Sequence, residues 1–81
     1  MDIPGYILRA ARAALDLGQQ DLADALEMSR ATIKKIEDGD QAVLVSSVAR
    51  LREELEARGV EFIYPSKDGG PGMRMRTGKD N

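Results

Sequence analysis

Ile7, Leu8, Ala11, Ala14 and Leu15 recur at steps of three and four, the spacing that gathers side chains on one helical face while Arg9, Arg12 and Asp16 point elsewhere. The pattern predicts a helix over residues 6–16, entered at Pro4 and broken shortly afterwards by Gly18. Leu22, Ala23 and Leu26 mark the inner face of a second, short helix over residues 19–26, with Asp21 in the first turn, where the helix dipole favours an acid. Ser29 is the next capping signal, because its hydroxyl can accept from a backbone N–H two or three residues on. It opens a third helix running to Glu37 and ended by Gly39. Residues 40–45 form a connection. Ser46 or Ser47 then caps a fourth helix over residues 48–58, with Val48, Leu51 and Leu55 in register and Gly59 as its stop.

After Gly59 the period changes from helical to alternating, with Val60, Phe62 and Tyr64 on one side and Glu61 and Ile63 on the other until Pro65. Residues 66–72 are rich in turn formers, and Met73-Arg74-Met75-Arg76 alternates again, which fits a β-hairpin or two partner-seeking strands. The expected fold is mainly α, four helices with a short C-terminal β-strand or β-hairpin. Residues 1–58 make the helical domain, 59–77 the strand segment, and 78–81 a frayed tail.

Residues 19–39 carry the most information. Apolar side chains at Leu22, Leu26, Met28, Ile33 and Ile36, with small Ala23 between them, suit two short helices that cross closely at a tight bend. Arg30, Ala31, Lys34 and Lys35 then face outward, with Thr32 at the margin. From Ser29 to Ile36 every charge is basic, whereas residues 21–27 carry only acids, so one short segment is locally cationic. The formal net charge of −2 argues against a protein that coats nucleic acid indiscriminately.

At 81 residues the chain has room for one domain and one modest core, which excludes a catalytic cleft between domains. Cysteine, histidine and tryptophan are absent, removing disulfides, Cys/His zinc sites, thiol nucleophiles and a histidine base. Neither an enzyme nor a cofactor nor a metal is therefore expected. No apolar run approaches the roughly 20 residues that span a bilayer, and no basic segment with an apolar stretch opens the chain. A cytoplasmic protein with no membrane partner is expected.

Gln19-Gln20-Asp21-Leu22-Ala23 and Ser29-Arg30-Ala31-Thr32-Ile33-Lys34-Lys35-Ile36-Glu37-Asp38-Gly39 resemble the Cro/phage-repressor (XRE-like) helix-turn-helix family over roughly residues 7–58. The later Gly59-Val60-Glu61-Phe62-Ile63 and Gly69-Gly70-Pro71-Gly72-Met73-Arg74 are similar to the tail of a subgroup of short bacterial and prophage regulators. The resemblance implies a phage-repressor-like domain whose helix-turn-helix spans about 19–37 and whose recognition helix, about 29–37, enters the major groove of double-stranded DNA. It implies that Gln19 bonds a phosphate, with Ser29 and Gly39 as further phosphate contacts, and that Arg12 and Glu37 form a buried ion pair. On the base-reading face, Arg30 is placed to hold guanine O6 and N7, Ala31 to pack on a thymine methyl, and Thr32, Lys34 and Lys35 to reach bases or phosphates. Three departures stand out. Glu27 occupies the turn position usually held by glycine, and Gly18 that of a capping serine or asparagine. Residues 40–45 offer an acid and apolar groups where relatives carry basic residues.

Val60, Phe62, Ile63, Tyr64, Met73 and Met75 either finish the chain's own core or pair it with a second copy through an exposed strand edge. In the second case a two-fold homodimer reads a palindrome with recognition helices roughly 34 Å apart. Arg74 and Arg76, with Lys79, either reach phosphates or keep the strand soluble. The expected function is an operator-specific transcriptional repressor, autoregulatory in one version, acting by blocking polymerase. Two alternatives stay open: the antitoxin of a toxin–antitoxin pair, masking a second small protein with its tail, and a protein-interaction adaptor or antiactivator whose helix-turn-helix is vestigial.

Overall fold

Four helices followed by a hairpin make up the structure, a computed structural model that describes residues 3–76. The expected frayed tail, 78–81, and residue 77 lie outside the described residues. The elements are α1 (Gly5–Ala14), α2 (Gln19–Leu26), α3 (Arg30–Glu37), α4 (Val45–Ala57), β1 (Val60–Ile63) and β2 (Gly72–Met75). Every helix contributes to a single core: Leu8 and Ala11 from α1, Leu22, Ala23 and Leu26 from α2, Ile33 and Ile36 from α3, Leu51 and Leu55 from α4. Val60 and Phe62 of β1 and Ile3 close it. Each large apolar side chain so buried stabilises the fold by about 1.5–3 kcal/mol relative to exposure. No described helix is long and apolar enough to cross a membrane.

The helix ends show how so short a chain turns three times. α1 stops at Ala14, two residues before the sequence pattern suggests, because Asp16 adopts a left-handed backbone (φ 59°). The N–H groups of Asp16 and Leu17 then reach back to the carbonyls of Ala13 (2.9 Å) and Arg12 (3.2 Å), satisfying acceptors that the helix leaves open. Gly18 lies in the break between the two helices, as expected, as the extended residue before α2, and Asp21 accepts its N–H at 2.7 Å. Glu27 repeats the left-handed ending after α2 (φ 57°), with Met28 N–H on the Ala23 carbonyl at 2.9 Å. Gly39 does the same after α3 (φ 79°), with its own N–H on Ile36 and that of Asp40 on Lys35.

Two of these three endings thus lack a glycine, and a left-handed backbone costs a residue with a Cβ about 1–2 kcal/mol. Glu27→Gly is expected to stabilise the protein by about 0.5–1 kcal/mol, the strain relieved less the added freedom of the unfolded glycine. A thermal melt should move up by roughly 2–8 °C; a melt that moved down would refute the assignment of strain to this turn.

α4 also begins earlier than expected, at Val45 instead of 48. Leu44, not Ser46 or Ser47, takes the extended position before it, and its carbonyl accepts from the N–H groups of Ser47 (3.0 Å) and Val48 (3.2 Å). The two serines fall inside the first turn, where neither hydroxyl caps the helix. β1 and β2 pair antiparallel, Val60 with Met75, Glu61 with Arg74, Phe62 with Met73 and Ile63 with Gly72, so the hairpin reading of the tail holds. Tyr64 falls just beyond the strand.

One contact was not visible in the sequence. At the first turn of α1, Gly5 lies directly on the C-terminal end of α3. A Cβ there would collide with the Ile36 carbonyl oxygen and sit 2.7 Å from that of Glu37. Only a glycine permits this approach, which brings the positive end of α1 against the carbonyl end of α3.

Candidate nucleic-acid interface

The bend between α2 and α3 is set by the left-handed Glu27 and by Ala23, fully buried where the helices cross. Ser29 caps α3 as its sequence position suggests. Its Oγ accepts from the Thr32 N–H at 3.1 Å and lies 2.8 Å from the Thr32 hydroxyl. Ile33 and Ile36 point into the core, which turns Arg30, Ala31, Lys34 and Lys35 to solvent and leaves Thr32 half-buried. The base-reading residues inferred from the sequence therefore form one exposed face of one helix.

The other end of α3 is anchored by charge. The Glu37 side chain is fully buried and accepts from Arg12 Nε at 2.6 Å and Arg12 Nη2 at 3.0 Å, the fork geometry that binds carboxylates best. Arg12 also donates to the Leu17 carbonyl at 2.8 Å, so this single side chain ties together α1, the first bend and α3. Gln19 Nε2 donates to Glu37 Oε1 at 3.0 Å. Burial alone pushes the Glu37 carboxyl up, but the hydrogen bonds from Arg12 and Gln19 and the charges of Arg12 and Arg9 outweigh it, holding the group below the usual carboxylate range. The hydrogen bond to Glu37 likewise raises Arg12, against its own burial.

Gln19, expected on a phosphate, gives one of its two amide hydrogens to Glu37, and its carbonyl oxygen faces Arg30 Nε at 3.4 Å. The amide thus stands between the guanidinium of Arg30 and the Glu37 carboxylate. Gly39 is exposed and left-handed, with its N–H already used in ending α3. Two residues beyond those singled out in the sequence join the site. Arg9 lies 3.7 Å from Glu37, donates to the Glu37 carbonyl at 3.2 Å and to Asp38 at 2.8 Å, and Asp38 also accepts from Lys34 at 2.6 Å. The Lys34–Asp38 spacing of four residues was legible; the place of Arg9, three residues before Arg12 on α1, needed the packing of α1 on α3.

Beside α3, the loop from Asp40 carries its apolar groups in two ways. Val43 packs against the core, while Leu44 and Val45 are 70 % and 79 % exposed. Val43 and Val45 line a shallow groove with Ile3, Leu8, Ile36 and Val48. At the far end of the molecule the hairpin divides the residues expected to pair two copies. Val60 and Phe62 are enclosed by the chain's own core and offer no free surface, while Met73 packs against that core and stays half-buried. Ile63, Tyr64 and Met75 remain exposed, next to a surface ion pair of Glu61 with Arg74 at 2.9 Å. That hydrogen bond, first among its causes, lowers Glu61 and raises Arg74.

The family model described as a helix-turn-helix domain matches residues 5–61, which takes in α1 to α4 and the start of β1. No curated protein matches the chain.

Proposed function

Because the chain belongs to the helix-turn-helix domain family, we propose that it is a sequence-specific DNA-binding transcriptional regulator, a repressor that reads its operator with the exposed face of α3. The observation that carries this reading is that Arg30, Ala31, Lys34 and Lys35 contribute nothing to the core and project together from a helix anchored at its C-terminal end. Ser29 and Gly39 flank that face, and Gln19 stands at the positive end of α2, where a phosphate oxygen is favoured. Arg30 is the chief base contact, since its guanidinium is steadied by Gln19 and can bond guanine through two acceptors.

Arg30→Ala should reduce the preference for a genome-selected duplex over a scrambled one by roughly 10- to 100-fold, the equivalent of one bidentate base contact. Its circular-dichroism spectrum should match the wild type, because the side chain is exposed. Retention of the full preference in an anisotropy titration would remove Arg30 from the reading.

The regulator acts as a homodimer on a palindrome, with Ile63, Tyr64 and Met75 as the surface that meets a second copy. A body measuring 32 × 31 × 18 Å is of a size to set two α3 helices roughly one turn of DNA apart in such a pair. Shortening the chain at Gly59 would strip Val60 and Phe62 from the core, so the cleaner test is the double variant Ile63→Lys, Met75→Lys. Light scattering should then report a monomer with a near-normal melt; an intact dimer would discard the hairpin as the pairing surface.

A second reading is favoured by one observation. Leu44 and Val45 offer apolar side chains beside the groove, where a phosphate-gripping loop would carry cations, as a protein-interaction adaptor would require. Such an adaptor would show no duplex affinity that falls with rising salt.

A further inference from the structure

We propose that Asp38 determines how much of the protein's DNA affinity is independent of sequence, by occupying Lys34 and Arg9 in the way a backbone phosphate would. The inference rests on the DNA-binding reading above and names a residue that sets the backbone affinity within it. Arg30, Lys34 and Asp38 follow one another at intervals of four, so the cationic row on α3 ends in an acid. One carboxylate oxygen of Asp38 accepts from Lys34 Nζ at 2.6 Å and the other from Arg9 Nη2 at 2.8 Å. All three side chains are open to solvent, so a phosphate arriving at this end of α3 meets cations that already have an anionic partner.

The remaining cations are not treated this way. Arg30 faces only the neutral amide of Gln19, and Lys35 has no acidic partner among the described residues. The charge is therefore damped at Lys34 and left intact at Arg30 and Lys35. Carboxylate and phosphodiester each present oxygen acceptors carrying one negative charge, and they compete for the same N–H donors. Contacts to phosphate strengthen binding to any duplex, whereas contacts to base edges discriminate among them. An acid that withholds two cations from the backbone lowers the first term equally for every sequence and leaves the second untouched. The hydrogen bond from Lys34 keeps the Asp38 carboxyl below its ordinary value, so the competitor stays charged throughout the neutral range.

The test compares full-length wild type with Asp38→Asn on a short random-sequence duplex, by fluorescence anisotropy over a sodium chloride series. Asp68→Asn, one charge removed from the exposed hairpin turn, serves as the control. Asp38→Asn should bind about three- to tenfold more tightly at low salt, with the slope of log affinity on log salt steeper by about 1–2 because one or two further phosphates are engaged. Its preference for a genome-selected duplex over a random one should stay the same, because both gain equally, its thermal melt should stay within a few degrees of wild type, and Asp68→Asn should change neither affinity nor slope. Equal affinity and slope for wild type and Asp38→Asn would overturn the inference while leaving the DNA-binding reading in place. So would an equal gain in Asp68→Asn, which would reduce the effect to net charge. Absence of any duplex binding by both proteins at low salt would overturn the DNA-binding reading and this inference together.

Discussion

Arg12→Ala should destabilise the protein by about 3 kcal/mol at neutral pH, lowering its melting temperature by roughly 12–24 °C. The variant strands a carboxylate whose side chain is fully buried, and it also frees the Leu17 carbonyl. The expected loss sits at the lower end of the range for broken buried pairs because Gln19 and Arg9 still face Glu37. The effect carries a pH signature. In the wild type the Glu37 carboxyl is lowered by the fold, so its contribution is complete above the unfolded value of roughly 4.3 and is lost as pH falls through the lower, folded value. Without Arg12 the burial that pushes Glu37 up is opposed only by Gln19 and Arg9, and a protonated Glu37 relieves the variant as the solution becomes acidic. Melts at pH 7 and pH 4 should therefore show the gap between wild type and variant narrowing on acidification. A gap independent of pH would mean that Arg12 acts through packing alone.

Gly5→Ala should be comparably severe, about 3 kcal/mol, for a purely steric reason. The added methyl meets backbone carbonyls of Ile36 and Glu37, which cannot swing aside as a side chain would. The helices must then separate, and the Arg12–Glu37 and Arg9–Asp38 bonds that span the same junction loosen with them. Gly69→Ala is the matched control, since a Cβ there meets nothing within 4 Å. Urea titrations of the two variants should differ by nearly the whole effect; equal midpoints would contradict the close approach of α1 to α3.

What the chain discloses in one dimension follows the range of the interactions concerned. α2 and the start of α3 are legible because Leu22, Ala23 and Leu26 fall at helical spacing and Ser29 caps locally, through an N–H three residues away. The beginning of α4 is not, since two serines advertise a cap that Leu44 pre-empts with its backbone alone. Asp16 misleads, taking a left-handed turn that a reader assigns to glycine, whereas Glu27 stands where the family resemblance already calls for a left-handed residue and adopts one. Partners distant in sequence are harder still. That Gln19 would turn its amide to Glu37, or that Gly5 would lie on α3, depends on how α2 and α1 pack against α3, which no spacing encodes. The hairpin residues divide for a similar reason: alternation identifies Val60 and Phe62 as one face, but only the finished core decides that this face turns inward.

Gly5, Arg9 and Arg12 of α1 all grip α3 at its C-terminal end, so α3 behaves as a cantilever clamped at its base, with Arg30 near its tip. A beam fixed in that manner tolerates exchange of the side chains along its outer edge, because none of them helps to hold it up. On the proposed reading, exchanges at positions 30, 31, 34 and 35 should retarget the protein toward other duplexes, while the scaffold that aims them keeps its shape and its melting point.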